Sequence, residues 1–375
     1  MNGAKQLLLK PAVILACAIA MTSCDKKGTE PTDPNSDIPG DPTNVTVPAP
    51  AVNNLKPTAT FETTAGNDSR IRINLLGLLD PTNNYQKIDF KANQNIFLTE
   101  DGAVQGFLVK PVSSNNVLSA DVVFTVDNSG SMSEEADSVA NSIAAFTSLL
   151  AASGLNVVFG CVGYDDFGRI SGGIDLTTAT SLRAYLNRTS FGFPLRGISR
   201  TKGFAGTDSL RLASEASGYA SSVSGENGVV ATLFADQKLS WRAGAQRVFI
   251  NFTDEPTQPN STVEWSTETL CQALAGKATV HTVWSGSDTA SFFETRLVRE
   301  KPWRMSTCSG GTIKVVPPSA AGLNLADLPV TGALANSSLL EFVSANPNAS
   351  HTIVITVKAS DRADGKTVYE NVKYK

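Results

Sequence analysis

Between about residues 117 and 315 the apolar residues gather into short runs separated by stretches of helical spacing, a pattern that neither an all-β nor an all-α fold accommodates. Ala120-Asp121-Val122-Val123-Phe124-Thr125-Val126 is the sharpest run. It is apolar almost throughout, as a strand covered on both faces must be. Val139, Ile143, Phe146, Leu149 and Leu150 then recur at helical spacing within 134–150. Leu155 to Gly163 and Gln246 to Phe252 repeat the strand type. Ser266 to Ala275 reads as helix and Ala278 to Trp284 as strand. This alternation predicts an α/β fold built on a doubly wound, mostly parallel sheet.

The flanks read differently. Residues 58–116 alternate polar and apolar positions, as in Ala59 to Thr63 and Arg70 to Leu75. Asn95 to Gly102 reads as a strand entering a turn, and Gly106 to Pro111 as its returning partner in a hairpin. Residues 316–375 return to β, most clearly in His351 to Val357 and Thr367 to Lys373. Neither flank is large enough for a core of its own. Together they predict one β-sandwich-like domain with the α/β domain of 117–315 inserted in its middle.

Residues 1–24 read as an export signal, with Lys5 and Lys10 ahead of an apolar stretch that ends at Ser23-Cys24. Small residues before Cys24 resemble the lipobox of bacterial lipoproteins, in which that cysteine is lipidated. This resemblance implies a lipid-anchored place in the bacterial cell envelope, facing the cell surface or the periplasm. Residues 25–57 are dense in Pro, Thr, Asp and Asn and predict a disordered Pro-rich tether. A net charge of −4, from 31 basic and 35 acidic side chains, excludes the basic field that a nucleic-acid binder needs. Past the signal remain Cys161, Cys271 and Cys308. Cys161 sits in an apolar run as a small hydrophobe, while Cys271 and Cys308 could pair or stand as unrelated thiols.

Chemistry concentrates in Asp127-Asn128-Ser129-Gly130-Ser131, directly after the first α/β strand. Ligands of doubly wound sheets bind at the carboxyl ends of the strands, so one carboxylate and two hydroxyls arrive together at that edge. Phe252-Thr253-Asp254 ends another strand in the same style and adds a second carboxylate. Hard oxygen donors of this kind suit Mg²⁺, Ca²⁺ or Mn²⁺.

A strand followed by Asp-x-Ser-x-Ser, a helix and a later strand ending in Thr-Asp resembles the metal-ion-dependent adhesion site of von Willebrand factor A domains. The resemblance implies Asp127, Ser129, Ser131 and Asp254 as metal residues, with Mg²⁺ foremost. It also implies an open coordination position for a carboxylate of a protein ligand. The third metal loop has two candidates. Thr207 in Gly206-Thr207-Asp208 fits many family members. Glu226 fits the integrin β-subunit variety, with Trp241-Arg242 and Thr253-Asp254 in the same order. Glu134 and Glu135 stand where that variety carries paired acids for a second cation. They equally suit the N-terminus of the helix that starts there. Phe191, Phe193, Arg196, Arg200, Lys202 and Phe204 form a cationic, aromatic segment, either a ligand-selecting loop or a loop pinned to the core by its Phe residues. The hairpin at Asn95 to Gln105 resembles one that often precedes such domains in bacteria.

The function this implies is capture of an acidic protein ligand through a divalent cation, in adhesion or envelope assembly. The alternative is a structural envelope lipoprotein whose metal only staples the fold. A metal-dependent hydrolase is remote. The two histidines, His281 and His351, both fall in strand patterns, and no positioned base accompanies Ser131.

Overall fold

The computed structural model describes residues 33–79, 85–86, 88–111, 119–152, 155–195, 203–220, 225–286, 289 and 292–374. Strands β1 (Ala59–Thr64) and β2 (Asn67–Leu75) open it. The short pair β3 (Leu78–Leu79) and β4 (Tyr85–Gln86) follows, then β5 (Ile96–Glu100), β6 (Ala103–Val104) and β7 (Phe107–Pro111). The α/β part runs β8 (Ser119–Asp127), α1 (Ala136–Ala152), β9 (Asn156–Tyr164), β10 (Ile170–Thr177), α2 (Ala179–Leu186), β11 (Thr189–Ser190), β12 (Phe193–Pro194), β13 (Gly206–Thr207) and α3 (Leu210–Ala216). It continues α4 (Gly228–Lys238), β14 (Gln246–Thr253), α5 (Thr267–Leu274), β15 (Ala278–Trp284), α6 (Arg304–Ser309), β16 (Ile313–Val315) and α7 (Pro329–Ala335). Strands β17 (Ser338–Val343), β18 (His351–Ser360) and β19 (Ala363–Val372) close the chain.

The central sheet has the order β13-β10-β9-β8-β14-β15-β16. All its pairings are parallel except that of β9 with β10. β8 lies between β9 and β14, with all of Ala120–Asp127 buried, which explains its unbroken apolar run. Its side chains divide between two cores. Val122, Phe124 and Val126 pack with Phe146 of α1 and Leu334 of α7, whereas Val123 packs with Phe234 of α4 and Leu270 of α5. Gly228 opens α4 against Asn251, where a Cβ would stand 2.6 Å from the Asn251 Oδ1, so the helix rests directly on β14. A disulfide joins Cys271 of α5 to Cys308 of α6, and Cys161 is a buried free thiol.

Two four-stranded sheets, β1-β2-β17-β7 and β19-β18-β5-β6, share a third core around Ile73, Leu98, Phe342 and Ile355. β7 and β17 are antiparallel neighbours, with Phe107 opposite Phe342. The α/β part therefore leaves and re-enters the β part at adjacent strands.

Three expectations change. The segment expected to be a loose tether packs from Asp33 onward. Leu55 is fully buried, and the Arg70 guanidinium donates to both carboxylate oxygens of Asp37 at 2.7 and 2.8 Å. The Asp364 carboxylate accepts the backbone N–H groups of Ala51, Val52 and Asn53. Charged side chains from distant strands satisfy this polar backbone, so the segment orders with little apolar surface of its own. The export signal and Cys24 lie outside the described residues. Second, Gly106 to Pro111 does not return beside β5. The short β6 pairs with β5 at Thr99 and Glu100, and β7 crosses to the other sheet. Third, the α/β part extends past 315, because Leu325, Leu328, Val330 and Leu334 join the core under α1.

At the amino-terminal edge of the sheet the Asp121 side chain is fully buried. It accepts from Arg242 through the backbone N–H at 2.9 Å and Nε at 2.6 Å. Burial raises the Asp121 pKa and the Arg242 charge opposes that rise. Removing one partner of such a pair leaves an uncompensated buried charge. Arg242→Ala is expected to lower chemical-denaturation stability by about 3 kcal/mol, with part recovered in the Asp121→Asn double variant. A loss under about 1 kcal/mol would mean the pair holds nothing together.

Candidate metal centre

Asp127 is the last residue of β8, at the carboxyl edge of the sheet, and its side chain is 1% exposed. One oxygen accepts the Ser129 backbone N–H at 3.0 Å, which folds the loop back over the strand end. The other accepts from the Thr253 hydroxyl at 3.0 Å, which ties the loop to the end of the neighbouring strand β14. The loop is fastened sideways too. The Gly130 N–H donates to Asp166 Oδ1 at 3.2 Å and the Asn128 amide donates to Ser171 Oγ at 2.7 Å.

Over this base the hydroxyls meet. Ser129 Oγ and Ser131 Oγ are 2.9 Å apart, and the Ser131 hydroxyl donates to Asp254 Oδ1 at 3.1 Å. Adjacent oxygens around an octahedral Mg²⁺, each bonded at about 2.1 Å, are separated by about 3 Å. The two hydrogen-bonded spacings are of that size. Among the described residues no three or more of His, Cys, Asp and Glu form a metal cage on their own. An ion here would depend on the two serine hydroxyls.

Glu226 directly precedes Asn227, the fully buried cap of α4, whose side chain accepts the Val229 N–H and donates to the Gln258 and Trp265 carbonyls. That fixes the backbone of Glu226 beside the 254–258 segment, where its carbonyl accepts the Gln258 N–H at 3.0 Å. Burial lifts the Glu226 pKa to about 7, with the charges of Glu255, Asp166 and Asp254 adding to the rise. Asp127 is raised well above the carboxylate range, mainly by burial and further by Asp254 and Glu226. Burial raises Asp254, and burial together with Asp254 raises Glu255. Several carboxylates thus share one rim and repel one another, an arrangement a cation relieves.

Asp127, Ser129, Ser131 and Asp254 therefore lie together, and Glu226 acts electrostatically on Asp127. Thr207 lies elsewhere. It sits on edge strand β13 paired with Gly173, three places from β8, and makes no hydrogen bond to the cluster among the described residues. Glu134 and Glu135 part company. Glu134 is exposed, while Glu135 is 1% exposed and accepts the Ser285 hydroxyl at 2.8 Å, its second oxygen being buried without a partner. The aromatic segment also divides. Phe191 is 99% and Phe193 67% exposed at the β11–β12 turn, whereas Phe204 is fully buried. Its carbonyl passes where a Cβ on Gly163 or Gly172 would stand 2.5 or 2.3 Å away, so only glycines admit it. Arg196, Arg200 and Lys202 lie outside the described residues. Sequence reasoning missed Asp166. Its position just past β9, at the same carboxyl edge, was the available signal.

No protein-family model matches the chain, and no curated protein matches it. Among solved structures it is similar to the pilus adhesin SpaC from Lactobacillus rhamnosus GG in its open conformation, at 11% identity and a TM-score of 0.40. That likeness covers 89% of this chain and 49% of the adhesin, so the chain spans about half of that protein. It is similar to the von Willebrand factor type A protein from Catenulispora acidiphila at 12% identity and a TM-score of 0.34, covering 85% of this chain and 74% of the other. The VWA domain of SpRpn10 is similar at 12% identity and a TM-score of 0.33, covering 58% of this chain and 98% of that domain. With TM-scores below 0.5, these likenesses place the chain in no family.

The acid rim has a pH signature. Carboxyls raised in the folded state hold protons that the unfolded chain has released, so stability falls as pH rises from the ordinary Glu value of 4.5 through about 7. In chelator, the thermal midpoint is expected to be higher at pH 5 than at pH 8, and Glu226→Gln to flatten the difference. A pH profile unaltered by that substitution would remove Glu226 from the coupled group.

Proposed function

We propose that this chain is a lipid-anchored bacterial envelope protein carrying a von Willebrand factor A-type domain inserted in a β sandwich. In this reading it binds an acidic protein ligand through a divalent cation, in adhesion or envelope assembly. The observation that carries this is the meeting of Ser129, Ser131 and Asp254 oxygens at ligand spacing above the buried Asp127. Ser129, Ser131 and Asp254 would touch the ion, and Asp127 and Glu226 would complete its surroundings. Mg²⁺ is the foremost candidate for these oxygen donors, with Ca²⁺ and Mn²⁺ as other hard ions. When bound, the cation supplies an electrophilic position for a partner carboxylate. Asp127 orients the serine loop through the Ser129 N–H and the Thr253 hydroxyl. The bare Phe191 and Phe193 rings supply apolar contact area of the kind that anchors interfaces.

No catalytic role is proposed. The buried His281 stays neutral, burial pushing it down to about 4, and His351 spends both ring nitrogens on Asp101 and the Asn346 carbonyl.

Calorimetric titration of the purified chain with Mg²⁺ and Mn²⁺ tests the site. Saturable binding of one ion is expected, weakened at least about tenfold in Ser131→Ala and Asp254→Ala, with cooperative unfolding retained. An acidic peptide and its amidated counterpart then separate the uses of the ion. Binding of the acid form alone, lost in EDTA, supports capture. A stability gain from metal with no peptide preference supports an ion that only staples the fold. No saturable metal binding ends both.

A further inference from the structure

A cleft of about 270 Å³ opens at the opposite edge of the central sheet, between the β part and the back of the α/β part. Val248 of β14, Thr279 and His281 of β15 and Val330 of α7 form its inner wall, while Lys56 and Thr58 reach it from the segment leading into β1. Val248 pairs with Thr279, and Thr253 with Trp284. The cleft is therefore some five or six strand positions, or about 20 Å, from the Asp254 rim.

Its polar groups are donors in search of an acceptor. Thr279 is 5% exposed, and its hydroxyl oxygen is buried without a hydrogen-bond partner. A hydroxyl with no protein acceptor on a cleft wall is free to donate to an occupant of the cleft. His281 is 4% exposed, and its Nδ1 accepts the Thr312 backbone N–H at 3.1 Å. The ring is then the neutral tautomer with its proton on Nε2, and that N–H has no partner among the described residues. Lys56 is exposed at the mouth and is the only charged side chain among the described residues lining the cleft. Among the described residues no carboxylate lines it to compete for these donors. Leu76, Val248 and Val330 supply the apolar side.

We propose that this cleft binds a small organic monocarboxylate, its acid group held by Lys56, Thr279 and the His281 Nε2–H and its carbon body laid against Val248 and Val330. At about 30 Å³ per water-sized group, the volume suits a ligand of roughly ten non-hydrogen atoms. The site is separate from the cation rim and does not rest on the function proposed there. Because its walls come from both parts of the fold, an occupant strengthens their contact, which already includes the Gly77 N–H donating to the Ala333 carbonyl at 3.0 Å.

Hexanoate, with hexanamide as its uncharged counterpart, serves as probe for the full chain, read by saturation-transfer NMR and by thermal unfolding. Hexanoate is expected to bind saturably and raise the midpoint, with hexanamide clearly weaker. Lys56→Gln should weaken hexanoate about tenfold. Thr279→Val should weaken it severalfold while leaving the free protein as stable or more so, since it removes only an unpaired hydroxyl. Failure of hexanoate to saturate at tens of millimolar, or equal binding by wild type and both variants, overturns the proposal. Equal binding of hexanamide overturns the role given to Lys56 and with it the assignment to an acid.

Discussion

A carboxylate with almost no exposure, at the end of the strand on which the α/β part is built, governs this molecule. Asp127 is almost unsolvated, and no Lys or Arg pairs with it among the described residues. Its hydrogen bonds go to the Ser129 backbone and the Thr253 hydroxyl, which lock a loop to the neighbouring strand. The same bonds aim Ser129 and Ser131 at Asp254. The loop is tied to β14 through Thr253 and to β10 through Ser171, which limits how far its oxygens can move.

The repulsion on that rim is concentrated rather than diffuse. Asp254 and Glu255 follow β14, Asp166 follows β9 and Glu226 precedes α4, so acids from three places meet at one sheet edge. Burial raises Glu226, Asp254 and Glu255, and neighbouring acids add to the rise at Glu226 and Glu255. The fold supports this strain with the two cores that flank the sheet and with Arg242 beneath Asp121 at the far end of β8. Charges are thus managed at both ends of one strand, by a paired cation at one end and by hydroxyls and clustered acids at the other.

Much of the α/β part was legible because its signals are local. A fully covered strand is apolar throughout, a covered helix repeats every three to four residues, and a polar strand end at the carboxyl edge announces a site. Asp127, Ser129, Ser131 and Asp254 came together for that reason. What stayed hidden depends on distant partners. The order of residues 33–57 is set by Arg70 and Asp364, up to some three hundred residues away in sequence. Composition alone reads such a stretch as unable to fold. Gly106 to Pro111 has the alternation of a hairpin strand, but alternation does not say which sheet receives it, and β17 does. The choice between Thr207 and Glu226 likewise rests on which loop the sheet order brings near β8.

The sheet's polarity also explains why polar chemistry appears at both of its edges yet differs in kind. At the carboxyl edge the strands end in loops outside the covered core, and side chains there can present their oxygens. At the amino edge the β part and α7 close over the strands, so any polar group there must be paired, or face a cavity, if it is not to weaken the fold. Asp121 follows the first course and Thr279 the second. A threonine near the start of a buried strand, two residues before a neutral histidine whose accepted bonds come from Thr312, gains nothing in packing over valine at the same position. Its hydroxyl donates to no protein group among the described residues, so it is available to whatever occupies the cleft it lines.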